Sequence, residues 1–71
     1  MPKRYSTREI ESILLSRGFH RVSQRGSHVK YSDGARTVIL PAGRDVIRAG
    51  TFASILRQSG LTLGDFDDRQ A

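Results

Sequence analysis

From Phe19 to Leu40 the apolar residues alternate with polar ones, and this period of two restricts the middle of the chain to β-structure. Asp33-Gly34 lies inside the alternating segment and is typical of a two-residue hairpin turn. Arg25-Gly26 marks a second turn, so the segment predicts three antiparallel strands. On both sides of it the apolar residues recur at helical spacing instead, which predicts a helix before the strands and another after them.

The segment before the strands carries the start and stop signals of a helix from about Thr7 to Arg17. Ser6 followed by Glu9 is a capping-box pattern, in which each residue satisfies a backbone amide of the other. Gly18 after a terminal cation is the usual end of a helix. The apolar residues that would face the core are Ile10, Ile13 and Leu14.

After Pro41 a polar connection runs from Ala42 to Ala49, and we expect Val46 and Ile47 to tuck under the sheet. Thr51 is the expected N-cap of a second helix, and Gly60 its end. The apolar stripe of this helix is Phe52, Ile55 and Leu56. Beyond it we expect one short turn between Leu61 and Phe66, followed by a disordered Arg69-Gln70-Ala71.

Hairpin turns decide which residues lie opposite one another, and therefore which residues share a face of the sheet. The two expected turns place Val22 opposite Val29, and Val29 opposite Val38, so one face collects aliphatic side chains. Both helices are expected on this face, which predicts a small two-layer α+β fold of the order α-β-β-β-α. The other face is left open to solvent and carries Arg21, Ser23, His28, Lys30, Thr37 and the apolar exception Ile39, with Arg25 at the turn.

The length of 71 residues predicts a single domain over residues 1–71, with a modest core and no cysteine to crosslink it. The absence of cysteine excludes thiolate zinc sites and favours a reducing compartment. The two histidines, His20 and His28, match none of the usual zinc spacings, so we expect no metal and no cofactor. No signal peptide is recognisable, and no apolar run approaches the ~18–20 residues of a membrane span, so we expect a soluble protein without a membrane partner.

Positive charge is concentrated in the body of the chain. Residues 1–60 carry eleven Lys or Arg and four Asp or Glu, a net charge of +7, whereas the segment from Leu61 carries one Arg and three Asp, a net charge of −2. A basic body with an acidic end is typical of a nucleic-acid binder or of a protein that meets an acidic partner. A surface that is merely well solvated explains the same surplus.

The stretch from Gln24 to Tyr31 is the strongest candidate for chemistry, because it places a histidine and two cations beside a glycine turn. Histidine has an unperturbed pKa near neutrality, so beside positive charge it is well matched to proton transfer at a phosphate ester. His28 is therefore the candidate catalytic residue, with the alternative that it is an ordinary polar residue of an open sheet face. His20 is expected on the aliphatic face and is not a candidate. The candidate phosphate contacts are Arg21, Arg25, Ser27 and Lys30.

Two segments of the chain resemble the HicA toxins of bacterial and archaeal toxin–antitoxin pairs. They are Arg25-Gly26-Ser27-His28, which opens the second strand, and Gly50 to Leu61, which reads GTFASILRQSGL. The second segment is the more specific, and the resemblance covers nearly the whole chain. It implies a fold like the double-stranded-RNA-binding domain and the activity of a ribosome-independent mRNA endoribonuclease in the prokaryotic cytoplasm. The catalytic histidine of the family maps onto His28.

The resemblance also implies the partners of the protein: an mRNA substrate, and a HicB-type antitoxin through whose complex alone the toxin becomes oligomeric. One departure from the family concerns the loop after the third strand, where many members carry a second histidine. Here Pro41 is followed by Ala42-Gly43-Arg44, and Arg44 is the candidate substitute. A metal-independent ribonuclease needs both a base and an acid, so the second proton role passes to water or to a cation such as Lys30, which predicts a slow enzyme.

Two other classes of function stay open at this point. A non-catalytic RNA-binding module of the same fold would keep the basic face without depending on His28. A pure interaction protein would need neither the histidine nor the basic face. Growth arrest on expression distinguishes a toxin from both alternatives, and salt-sensitive RNA binding distinguishes the binding module from the interaction protein.

Overall fold

The computed structural model describes residues 4–67, which form three helices and one three-stranded antiparallel sheet. The strand order is the chain order, and buried residues alternate with exposed ones along the second and third strands, so the helices cover one face only. The α+β order predicted from the sequence, resembling the double-stranded-RNA-binding domain, is confirmed with a short third helix at its end. In chain order the elements are α1 (Thr7–Ser16), β1 (His20–Arg25), β2 (His28–Ser32), β3 (Thr37–Pro41), α2 (Ala49–Ser59) and α3 (Leu63–Asp67).

Helix α1 begins and ends where the sequence predicts. The Ser6 hydroxyl accepts from the Glu9 amide at 3.2 Å, and the Glu9 carboxylate accepts from the Ser6 amide at 3.0 Å, so the predicted capping box is formed. Gly18 follows the helix with φ +91°, a conformation that residues with a Cβ rarely adopt. The expected core residues of the helix, Ile10, Ile13 and Leu14, are all buried.

The core lies between the helices and the inner face of β2 and β3, and an aromatic cluster closes one end of it. The Tyr5 ring stacks on Phe52 at a centroid distance of 5.2 Å, and Phe66 meets Phe52 edge-on at 5.1 Å. The Tyr5 hydroxyl donates to Asp67 Oδ1 at 2.6 Å, which joins the start of the chain to α3. Strand β1 contributes no buried side chain.

The first hairpin turn is Gly26-Ser27, one residue later than predicted. Arg25 pairs directly with His28, so only two residues form the loop. Gly26 has φ +59°, while no other kind of residue in the described chain has a positive φ, which is the pattern of a type II′ turn. The predicted turn at Arg25-Gly26 is wrong because it would have placed Arg25 in a backbone conformation that glycine adopts without strain.

The second turn differs in length, because it is longer than the predicted Asp33-Gly34 pair. Ser32 pairs with Thr37, so Asp33 to Arg36 form a four-residue loop. The Asp33 carboxylate accepts from the amides of Ala35 at 2.9 Å and Arg36 at 2.6 Å, which stabilises the wider loop. The strands are therefore displaced by two residues from the predicted register. An even displacement leaves every side chain of β2 and β3 on its predicted face.

A β-bulge in β1 has the opposite effect. The pairing shifts between Arg21 and Ser23, so that Val22 is an extra residue, and beyond it Arg21 lies opposite Tyr31 and His20 opposite Ser32. The predictions that Arg21 shares the face of His28 and that His20 lies on the aliphatic face are both wrong, because one inserted residue inverts the faces that follow it. Val22, expected to be inward, is 54% exposed.

Helix α2 begins at Ala49 with Arg48 in the N-cap position, and no side chain caps it. The prediction of Thr51 as N-cap is therefore wrong, whereas the predicted end at Gly60 is confirmed by its φ of +73°. The expected stripe packs inward, with Ile55 buried and Phe52 and Leu56 partly buried.

Of the two residues expected to tuck under the sheet, only Ile47 is buried, and its amide donates to the Tyr5 carbonyl at 2.7 Å. Val46 is 47% exposed. Residues 69–71, predicted to be disordered, lie outside the described part of the chain. No helix within residues 4–67 has the length and apolar composition needed to cross a bilayer.

Candidate functional site

His28 is the first residue of the central strand, on the sheet face that the helices leave open. It pairs with Arg25 on one side and with Pro41 on the other, so neighbouring strands hold its backbone in place. Its side chain is exposed. Because directly paired residues have Cβ atoms ~4.5–5.5 Å apart, Arg25 and His28 are immediate neighbours on the open face.

A groove lies beside His28, between the end of the sheet and the start of α2. It encloses about 380 Å³, with His28 and Pro41 on the strand wall. The opposite wall comes from the connection between β3 and α2 and from the first turn of that helix. The residues that line the groove on this opposite wall are Arg44, Val46, Ile47, Arg48 and Thr51.

Thr7, in the first turn of α1, fastens these two walls together. Its hydroxyl donates to the Pro41 carbonyl at 2.7 Å and accepts from the Arg44 amide at 3.0 Å. Its own amide donates to the Arg44 carbonyl at 2.9 Å. Thr7 thus ties the connection to the strand that pairs with His28.

The structure places three of the four predicted phosphate contacts near His28. Arg25 is its partner across the hairpin, and Lys30 is two residues along the same strand and so on the same face. Ser27 lies in the turn, where its carbonyl accepts from the Ala42 amide at 2.7 Å. Arg21 is not part of this group, since it lies on the other face and donates to the side chain of Gln24.

The groove also contains residues that the sequence did not identify as site residues. The sequence predicts Arg44 only as a substitute for a histidine, and it predicts no part in the site for Arg48 or Thr51. The available signal was that two arginines lie four residues apart in the connection that follows β3. Periodicity says nothing about how such a connection folds, so their position beside His28 emerges only from the structure.

The arginines of the groove form no ion pairs within the described residues: no carboxylate of residues 4–67 pairs with Arg44 or Arg48, although Asp45 lies between them in the chain. The uncapped first turn of α2 adds the partial positive charge of a helix amino terminus on the same side. The same stretch of chain contains no group of three or more histidine, aspartate or glutamate side chains placed to hold a metal ion.

The family model of the HicA toxin of bacterial toxin–antitoxin systems matches residues 7–61 of the chain. The chain belongs to the HicA toxin family. A comparison with curated protein sequences found no significant relative. The match begins with α1 and ends just after α2, so it includes the sheet, the groove and both segments that resemble HicA toxins. The resemblance seen in the sequence is thereby confirmed, and the general partner of a HicA toxin is a HicB-type antitoxin.

Proposed function

We propose that this HicA family member is an mRNA endoribonuclease in which His28 carries out proton transfer. The observation that carries this proposal is the position of His28, which faces Arg44 and Arg48 across the groove and has Arg25 as its strand partner. An imidazole among cations that have no ion pair with a carboxylate of residues 4–67 is suited to a substrate that carries negative charge.

The reaction needs no group from outside the chain other than water. His28 accepts the proton of a ribose 2′-hydroxyl, the 2′-oxygen forms a bond to the adjacent phosphorus, and the bond from phosphorus to the 5′-oxygen breaks. The products are a 2′,3′-cyclic phosphate and a 5′-hydroxyl, whose proton comes from water or from Lys30. The nearby cations stabilise the additional negative charge on the phosphorane oxygens.

The remaining proposed contacts follow from the open sheet face. Arg25, Ser27 and Lys30 bind RNA there, whereas the position of Arg21 removes it from the proposed interface.

A HicB-type antitoxin neutralises the toxin by covering His28, and the toxin becomes oligomeric only in that complex. Because the proposed substrate is mRNA, we expect the activity in the prokaryotic cytoplasm.

The test compares cleavage of one single-stranded RNA by the wild type, His28→Ala and the control His20→Ala. Loss of a positioned acid or base costs ~10²–10⁴ in rate, so His28→Ala should cut no RNA detectably and should no longer arrest growth. Both histidines are exposed, so both variants should remain folded by circular dichroism. If folded His28→Ala cuts at the wild-type rate, His28 is not the catalyst.

A non-catalytic RNA-binding module is the second candidate, because Arg25 and Lys30 form a basic open face that needs no histidine. The two functions differ in one measurement. A binding module would bind the RNA in a salt-dependent way and leave it intact, and its His28→Ala variant would bind equally well.

A further inference from the structure

We propose that the groove is a subsite for one nucleotide of single-stranded RNA, with Arg44 and Arg48 holding its phosphate and Pro41 and Val46 contacting its base. This inference rests on the proposed function and names the place where the substrate lies. It assigns the charge nearest the scissile phosphate to the connection after β3, and not to the sheet face alone.

Both arginines extend from fixed backbone. Arg44 is held on both sides by Thr7, which bonds to its amide and to its carbonyl. Arg48 occupies the N-cap position of α2, and its carbonyl accepts from the Phe52 amide at 2.8 Å. Guanidinium groups bind phosphate oxygens bidentately, and a fixed backbone lowers the entropy lost when they do.

One side of the groove is apolar. Val46 is 47% exposed at its rim, Pro41 is half-buried beside His28, and Ile47 beneath them is buried. Ile39, two residues before Pro41 on the same face, is also exposed and extends this surface. The flat face of a nucleobase removes such a surface from water, and proteins commonly bind unpaired bases in this way.

The size of the groove is appropriate for one nucleotide, since its volume of about 380 Å³ is at the lower end of the ~300–1,000 Å³ typical of small-molecule sites. We expect the base that enters it to be unpaired, because unpaired bases are free to lie against such an apolar surface. The strand then leaves the groove past His28 and continues over the open face toward Lys30.

The test uses a fluorescent 2′-O-methyl oligonucleotide, which lacks the 2′-hydroxyl that attacks phosphorus and so reports binding without cleavage. The double variant Arg44→Ala/Arg48→Ala should bind it about tenfold or more weakly, because it loses the charge-assisted hydrogen bonds of both guanidinium groups to phosphate. The slope of log K against log salt should become shallower by ~0.7 for each phosphate that the variant no longer binds.

The matched control is Arg17→Ala/Arg57→Ala, which removes the same charge from the helices. Arg17 pairs with Asp65, and Arg57 donates to Ser54 within α2, so neither belongs to the groove. If the control pair loses as much affinity as the groove pair, general electrostatic attraction explains the binding and the subsite is refuted. Unchanged binding by the folded groove pair refutes it as well.

Two single variants test the finer assignments. Asp45→Asn removes the carboxylate between the two arginines and should strengthen binding, and weaker binding would contradict the assignment of Arg44 and Arg48. Val46→Ser should weaken binding of the oligonucleotide but not of an abasic strand of the same length. Equal effects on both strands would refute the base contact.

These outcomes are separate from those that test the proposed function. Failure of the wild type to cut RNA, or cleavage by His28→Ala, would overturn the catalytic proposal alone. The binding of the 2′-O-methyl oligonucleotide would still show whether a nucleotide occupies the groove.

Discussion

Tyr31 lies on the inner face of the sheet and contacts a polar residue of α1. Its side chain is buried, and its hydroxyl donates to Glu11 Oε2. Burial, the hydrogen bond to Glu11 and the negative charge of Glu11 raise the pKa of Tyr31 well above its usual range, while Arg21 acts in the other direction. The folded protein therefore favours the neutral hydroxyl.

Tyr31→Phe is expected to change how stability depends on alkaline pH. In the unfolded chain tyrosine ionises near pH ~10, but in the folded chain it ionises only at higher pH. The wild type should thus keep its full stability below about pH 10 and lose stability as the pH rises further. The variant should show less of this loss, at a cost of ~1–2 kcal/mol at neutral pH for the missing bond. Urea unfolding between pH 7 and 11 measures both, and parallel curves for the two proteins would contradict the prediction.

At the scale of elements, the β1–β2 hairpin determines which side chains surround the catalytic candidate. Its two-residue loop puts Arg25 directly opposite His28, and the bulge at Val22 turns Arg21 to the other face. The turn depends on Gly26, whose φ is +59°. A Cβ at Gly26 would touch nothing within 4 Å, so a substitution there tests the backbone conformation alone.

Gly26→Ala should lower the free energy of unfolding by ~1–2 kcal/mol, the cost of a left-handed conformation for a residue with a Cβ. Gly50→Ala is the matched control. Gly50 lies in the first turn of α2 without a positive φ, and its added Cβ also meets nothing within 4 Å. Alanine in a helix is favoured over glycine by ~0.8–1 kcal/mol, so this variant should be slightly more stable. Urea unfolding of both proteins should give changes of opposite sign, and equal changes would show that the turn does not require glycine.

The sheet also shows which parts of the structure can be predicted from the sequence. Alternation predicted the two faces of β2 and β3 correctly although both turns were misplaced, because the second register changed by two residues. The bulge at Val22 was not predictable, since a single extra residue leaves the surrounding alternation intact. The groove could not be predicted from the sequence for another reason. Arg44 and Arg48 lie in an irregular connection, and the tertiary bonds that bring it to His28, among them those of Thr7, cannot be read from the sequence.

At the scale of the whole molecule, a small core supports an open and strongly basic surface. Residues 1–60 carry a net charge of +7, and the buried apolar residues form one cluster beneath only two of the three strands. Cores of this size rarely supply more than ~3–5 kcal/mol, and mutual repulsion among the cations opposes folding. A partner that binds only the folded toxin therefore has a large effect on its stability.

A HicB-type antitoxin should raise the melting temperature of the toxin by covering the face that carries His28. At ~100 times its dissociation constant the antitoxin would contribute about 2.7 kcal/mol. Thermal melts with and without saturating antitoxin measure the shift, and the 2′-O-methyl oligonucleotide should compete for the same face. An unchanged melting temperature would count against the prediction, and simultaneous binding of oligonucleotide and antitoxin would place the antitoxin elsewhere.

The bonds of Thr7 couple the groove to the first turn of α1, which the capping box of Ser6 and Glu9 closes. Helix ends open more often than helix centres, and Thr7 belongs to the first turn. When that turn unwinds, the strand wall and the arginine wall lose their common fastening in a single event. The shape of the groove and the closed state of this turn are therefore coupled. A molecule that unwinds the amino-terminal turn would change the shape of the groove without touching His28.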